Sequence, residues 1–294
     1  FIVKYHNNKK FKLTFLIKLF GSSIGYLINK LSNIISLYVP LKFSLLDQLN
    51  KPQSIVIKFQ KLKLKLKYTA LSEKAFWRMR GIGAKKHPEL NSLLANLTKN
   101  DVFWDVGANI GQLTLFAGVV TKCDIYAFEI EPFTFSMLID NINKNRLNNR
   151  IKALPFGLSD QPGFIPIYIS DDSYTNIGRA VIHNENAGQK SNLILMKGDE
   201  VSKIFNLKPP TFLKIDVDGP ELEVLNGMKK IISNKILENI VVECKISGEN
   251  ANFESIKKFL GEYGFKNKKR FLDPPKTGKD SGDQNVHFQR LSLK

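Results

Sequence analysis

The spacing of hydrophobic positions changes along the chain, and each change marks a different kind of element. In Lys61-Leu-Lys-Leu-Lys-Leu-Lys67 the apolar residue recurs at every second position. That period puts the leucines on one face and the lysines on the other, which predicts a half-buried strand. Ile55, Ile57 and Phe59 repeat the alternation and predict a partner strand just before it. From about residue 89 onward, short apolar runs alternate with stretches of helical period. The runs at 102–106, 125–129, 151–156, 211–215 and 239–244 predict strands. Between them, Phe135, Leu138 and Ile142 share one helical face behind Pro132, a favoured first-turn residue. Leu222, Leu225 and Ile232 form a second such face, and Phe253, Ile256 and Leu260 a third that Gly264 ends. Residues 265–272 and 285–291 predict a final antiparallel pair, and 160–200 interrupts the alternation with a hairpin and a polar loop. Strands alternating with helices predict an α/β, doubly wound and mostly parallel sheet covered by helices on both faces.

Residues 11–46 are apolar, but Lys18, Lys30 and Lys42 interrupt them. With no run of 18 uncharged apolar residues, no membrane span is predicted. Three regions follow: a basic apolar extension at 1–50, a β-hairpin and linker at 51–88, and the α/β domain at 89–294. Charge sharpens this division. Residues 1–100 hold 19 basic and 3 acidic side chains, net +16, out of +17 for the whole chain. A nearly neutral body with a basic N-terminal third suits an anionic partner, either a membrane surface or nucleic acid. The expected place is the cytoplasm, with residues 11–46 lying peripherally on a membrane; packing as a helical extension, or plain compositional drift, is the alternative. The first residue is Phe1, so an upstream leader or anchor is compatible with the sequence. Hydrophobic residues at 43% and charged ones at 24% exclude wholesale disorder. Cys123 and Cys244 are too few for a disulfide framework and read as reduced core thiols, and no metal site is predicted.

The strongest chemical signal is Asp105-Val-Gly-Ala-Asn-Ile-Gly111, after an apolar strand and before a helix. Glycine permits a tight turn that brings backbone N–H groups to a ligand at the helix start. An acid at the strand end would repel a pyrophosphate; it suits a cationic ligand such as S-adenosylmethionine. Glu129 ends the next strand, where an acid can accept from both ribose hydroxyls. Glu131 is the alternative, but it immediately precedes the helix-opening Pro132. Leu213-Lys-Ile-Asp-Val-Asp-Gly-Pro-Glu221 brings Asp216, Asp218 and Glu221 to the carboxyl edge of a strand, the ligand edge of open α/β sheets. One of them is a candidate general base, and helix-start acids also serve as caps. His183, in a polar loop with Arg179, is a further candidate base, and that loop a candidate acceptor lid.

Phe103-Trp-Asp-Val-Gly-Ala-Asn-Ile-Gly111, Tyr126-Ala-Phe-Glu-Ile-Glu-Pro132 and the 213–221 motif, with Leu222-Glu-Val-Leu-Asn-Gly227, resemble the FkbM-type S-adenosylmethionine-dependent methyltransferases. The likeness runs over about 88–290. It implies a class I, Rossmann-like methyltransferase sheet of seven strands with the last antiparallel. It also implies methyl transfer to a hydroxyl of a sugar, glycolipid precursor or secondary metabolite. By the same resemblance Asp105, Gly107, Ala108, Asn109 and Gly111 line the methionine end of the cofactor, and Glu129 holds the ribose. Gly157, Leu158 and Asp160 face the adenine, and Asp216 lies near the transferred methyl. Asp218 stands where the family usually has Glu, which weakens its claim to a catalytic role. Two rival functions are an RNA methyltransferase recruited by the basic N-terminal third and a non-catalytic binding module on the same fold. Against RNA-base methylation, no Asn/Asp-Pro-Pro-aromatic motif follows the 211–215 strand.

Overall fold

In the computed structural model the described residues are 53–59, 62–68, 88–169, 180–181, 189–248, 250–271 and 283–291. The basic segment 11–46 lies outside them. The first elements are strands β1 (Gln53–Phe59) and β2 (Leu62–Tyr68), antiparallel with Phe59 opposite Leu62. The alternation acts as expected where side chains are described: Leu66 and Tyr68 are buried, Lys65 and Lys67 exposed. Next come α1 (Pro88–Ala95), β3 (Val102–Val106), α2 (Gln112–Val120), β4 (Asp124–Phe128), α3 (Pro132–Lys144) and β5 (Ile151–Leu154). A second group comprises β6 (Gly157–Leu158), β7 (Gly163–Ile169), β8 (Ala180–Val181), β9 (Gln189–Met196) and α4 (Gly198–Ile204). The chain continues through β10 (Phe212–Ile215), α5 (Glu221–Asn226), α6 (Lys229–Ser233), β11 (Asn239–Lys245), α7 (Phe253–Glu262), β12 (Phe265–Phe271) and β13 (Asp283–Arg290).

Seven strands form the main sheet in the order β12-β13-β11-β10-β3-β4-β5. The pairs from β11 to β5 are parallel, and β13 runs antiparallel to both of its neighbours. Seven strands with the last in the chain reversed is the sheet that the resemblance implies. Alternation splits the core into two layers. Phe103, Ile125, Phe212 and Val241 point into one, with α1, α2, α3 and the hairpin. Trp104, Tyr126, Leu213, Val242 and Val286 point into the other, with α5, α6 and α7. Arg290 ties that second layer together: its guanidinium donates to the carbonyls of Leu237, Tyr263, Ile232 and Asn234 and lies 4.2 Å from the Phe265 ring centroid.

Two elements differ from the sequence reading, both through contacts distant in sequence. The strand expected at 151–156 ends at Leu154, and Gly157 opens a second, four-stranded sheet in the order β6-β9-β7-β8. The helix expected through 222–232 is broken into α5 and α6 at Gly227. A Cβ there would lie 2.2 Å from the Ser159 carbonyl oxygen, so the chain bends where another segment presses on it.

The hairpin is built into the first layer. Asn145, which ends α3, donates from Nδ2 to the Lys67 carbonyl (2.5 Å) and accepts from the Lys67 N–H (2.9 Å). Leu66 and Tyr68 share a cluster with Leu90, Phe116 and Leu138. Leu66→Ala is therefore expected to destabilise the whole fold by about 2–5 kcal/mol, read as a lower denaturant midpoint. An unchanged midpoint would mean that the hairpin is an appendage.

Candidate functional site

The turn from β3 to α2 is shaped by close approach. Gly107 has φ 80, and a Cβ on it would meet the Asp216 carbonyl oxygen at 1.8 Å. Asn109 follows at φ 53 and Gly111 at φ 93, so the chain passes through the left-handed region three times within five residues. The Gly107 and Ala108 amides both donate to the Phe128 carbonyl, at 3.0 and 2.9 Å, fastening the turn to the end of β4.

Glu129 completes that fastening. Its carboxylate accepts from the Asn109 amide at 2.7 Å and from the Glu131 amide at 2.9 Å, and it is buried. Glu131 acts instead as the N-cap of α3, accepting from the Phe133 and Thr134 amides at 3.0 and 2.6 Å. The structure thus separates the two acids that the sequence set side by side, one at the turn and one at the helix start. Gly157 closes the far side, because a Cβ there would lie 2.9 Å from Ile130. Leu158 is buried beside it, and Asp160 follows half-buried.

A charged centre lies on the same face, across β3 and β10. Lys214 is only 3% exposed, and its ammonium meets Asp216 at 2.6 Å. Burial works against its charge, but the Asp216 and Asp105 carboxylates outweigh it and raise its pKa. Burial likewise pushes the Asp105 carboxyl up, opposed by Lys214 and by the Thr114 hydroxyl that donates to its Oδ2 at 2.5 Å. Asp105 Oδ1 and Asn109 Oδ1 are buried with no hydrogen-bond partner among the described residues. Both are acceptors beside a glycine turn too close-packed for side chains. That set fits the cationic amino-acid end of S-adenosylmethionine.

The three acids at the end of β10 do not act alike. Asp216 is one-third exposed at the sheet edge. Asp218, at φ 59, is exposed on the following turn. Glu221 is buried and committed: one oxygen accepts from the Gly219 amide at 2.9 Å, the other from Asn252 Nδ2 at 3.0 Å. It holds the start of α5 to that of α7. His183 and Arg179 lie outside the described residues. Lys214, Thr114 and Glu243 join the site without having been singled out in the sequence. For Lys214 a signal existed, since a lysine inside an apolar strand is almost never buried unless paired.

A family model, the methyltransferase FkbM domain, matches residues 105–266. The chain is similar to the hexuronic acid methyltransferase AglP of Haloferax volcanii, 30% identical over 168 residues, which are 57% of this chain and 66% of that relative. It is also similar to the methyltransferase sdnD of Sordaria araneosa, 27% identical over 178 residues, 51% of this chain and 68% of that one. Among solved structures, methyltransferase FkbM from Methylobacillus flagellatus superposes with a TM-score of 0.49 at 15% identity, over 71% of this chain and 47% of the other.

The two neighbouring acids give opposite expectations. Glu129→Ala is expected to weaken S-adenosylhomocysteine binding by about 1.5–3 kcal/mol in calorimetry, the range for hydrogen bonds to a charged group. Glu131→Ala is expected to lower stability by about 0.5–2 kcal/mol through the lost cap, with affinity unchanged. The reverse pattern would exchange their assignments.

Proposed function

The chain belongs to the FkbM family of S-adenosylmethionine-dependent methyltransferases, and on that premise we propose that it methylates a hydroxyl oxygen on a sugar. The observation that carries the cofactor half of this reading is the unpartnered Asp105 Oδ1 beside the Gly107 turn. The sugar half is supported by the similarity to a relative named for a hexuronic acid.

Bound there, the cofactor supplies an electrophilic methyl group on a sulfonium. Asp105 and Asn109 offer acceptors to its amino-acid end, Gly107, Ala108 and Gly111 give it room and backbone, and Glu129 accepts from the ribose hydroxyls. Gly157, Leu158 and Asp160 flank the adenine. Asp216 orients the acceptor hydroxyl by accepting its hydrogen bond. Lys214 pairs with Asp216 at 2.6 Å, and a carboxylate is a weak base. A weak base suffices, because the hydroxyl becomes strongly acidic once the methyl carbon begins to bond to its oxygen. Positioning provides most of the rate and Asp216 the proton acceptor.

Labelled cofactor incubated with the full chain and separate sugar glycosides, lipid-linked glycan and RNA fractions tests the reading. Label in a base-stable ether on sugar is expected; label confined to RNA overturns it. With an acceptor in hand, Asp216→Asn is expected to lower turnover by about 10²-fold or more. Near-normal turnover in that variant would move the base elsewhere, with His183 the next residue to replace.

A further inference from the structure

The carboxyl edge of the main sheet carries a row of polar side chains that extends past the cofactor turn. Ile215 is paired with Val242, so the next residues, Asp216 and Glu243, are neighbours. Glu243 is paired in turn with Asn285 on the antiparallel β13. Side chains alternate between faces along a strand. Val241 packs in the hairpin-side layer, whereas Val242, Cys244 and Val286 pack in the other. Asp216, Glu243 and Asn285 therefore share the face of Asp105 and Lys214. One step deeper, Asp105, Lys214, Val241 and His287 are consecutive register partners.

The row is short of donors. Lys214 is engaged by Asp216 at 2.6 Å. Glu243 faces Asp216, Lys214 and Asp218; repulsion from Asp216, together with burial, pushes its carboxyl up to about 9 against the pull of Lys214. At neutral pH Glu243 keeps its proton, donates it to Asp216, and retains lone pairs as an acceptor. Asn285 is 3% exposed, and its Oδ1 has no hydrogen-bond partner among the described residues. An uncharged acid and an amide oxygen side by side call for neutral donors. A phosphate or carboxylate would meet Asp216 and no unengaged cation in this row.

We propose that Glu243 and Asn285 form the acceptor subsite, holding ring hydroxyls of the sugar next to the one that Asp216 meets. This rests on the sugar-hydroxyl reading above and names the side chains that would bind the acceptor.

The test uses the full chain saturated with S-adenosylhomocysteine and saturation-transfer NMR on methyl glycosides of glucose, galactose, mannose and glucuronic acid. A response from at least one glycoside is expected for the wild type. Asn285→Leu, similar in volume but without polar atoms, is expected to weaken it at least about 10-fold, with S-adenosylhomocysteine affinity by calorimetry within about 2-fold. If Asn285→Leu does not fold, Asn285→Ser takes its place with the same expectation. Tight S-adenosylhomocysteine binding with no glycoside response, or an undiminished response in the Asn285 variant, overturns the subsite alone. No S-adenosylhomocysteine binding at all overturns it together with the methyltransferase reading.

The proton on Glu243 is tested independently. The folded chain holds it up to about 9, whereas the ordinary value is 4.5, so stability that is complete below about 4.5 is lost as pH rises toward 9. Glu243→Gln keeps an uncharged donor and acceptor, so its melting temperature is expected to fall less than that of the wild type between pH 5 and 9. Parallel declines would overturn the neutral acid.

Discussion

The buried ammonium of Lys214 is the fixed point of the site. It pairs with Asp216 past the end of β10 at 2.6 Å and interacts with the charge of Asp105 on β3. Removing a lysine from water is costly, and a buried pair of this kind is seldom a net source of stability. Its value here is positional. Lys214 holds the Asp216 side chain at the sheet edge, and the Asp216 backbone lies against Gly107 so closely that no other residue fits there. Around this cation the remaining groups take the states their surroundings allow. Glu243, denied a cation of its own, keeps a proton, and Asp105 leaves one oxygen for a ligand.

Much of this was legible in the sequence, for physical reasons. A chain turns back repeatedly through left-handed geometry at least cost with glycine and Asn or Asp, so Gly107, Asn109 and Gly111 announce the turn. Strand period is equally explicit, and it placed β3, β4, β10, β11 and the Lys-Leu hairpin to within a residue or two. What linear order cannot give is direction. Asp216, Asp218 and Glu221 could be ranked by resemblance but not by where their side chains go: Glu221 turns inward to Gly219 and Asn252 while Asp218 faces out. Lys214 and Glu243 were hidden for the opposite reason: each sits within an apolar run, where pattern reading attends to the hydrophobic neighbours. The break falls at Gly227, where a carbonyl almost seventy residues earlier occupies the place of a Cβ, a contact that linear order does not show.

The reversed last strand has its own part in the architecture. Because β13 runs against its neighbours, it begins where β11 ends, and this brings Asn285 to the edge occupied by Asp216. A parallel strand in that place would present its far end instead.

The way the hairpin is seated bears on where the folding unit begins. The family model matches residues 105–266. The core observes neither limit: Leu66, Tyr68, Leu90 and Leu94 lie wholly inside it at one end of the chain, Val286 and Phe288 at the other. The span that the family model matches is thus shorter than the span that shields the interior from water. A fragment trimmed to the matched part would expose one flank of α2, the helix that springs from the cofactor turn, and of α3 beside it, and would lose the strand that finishes the sheet.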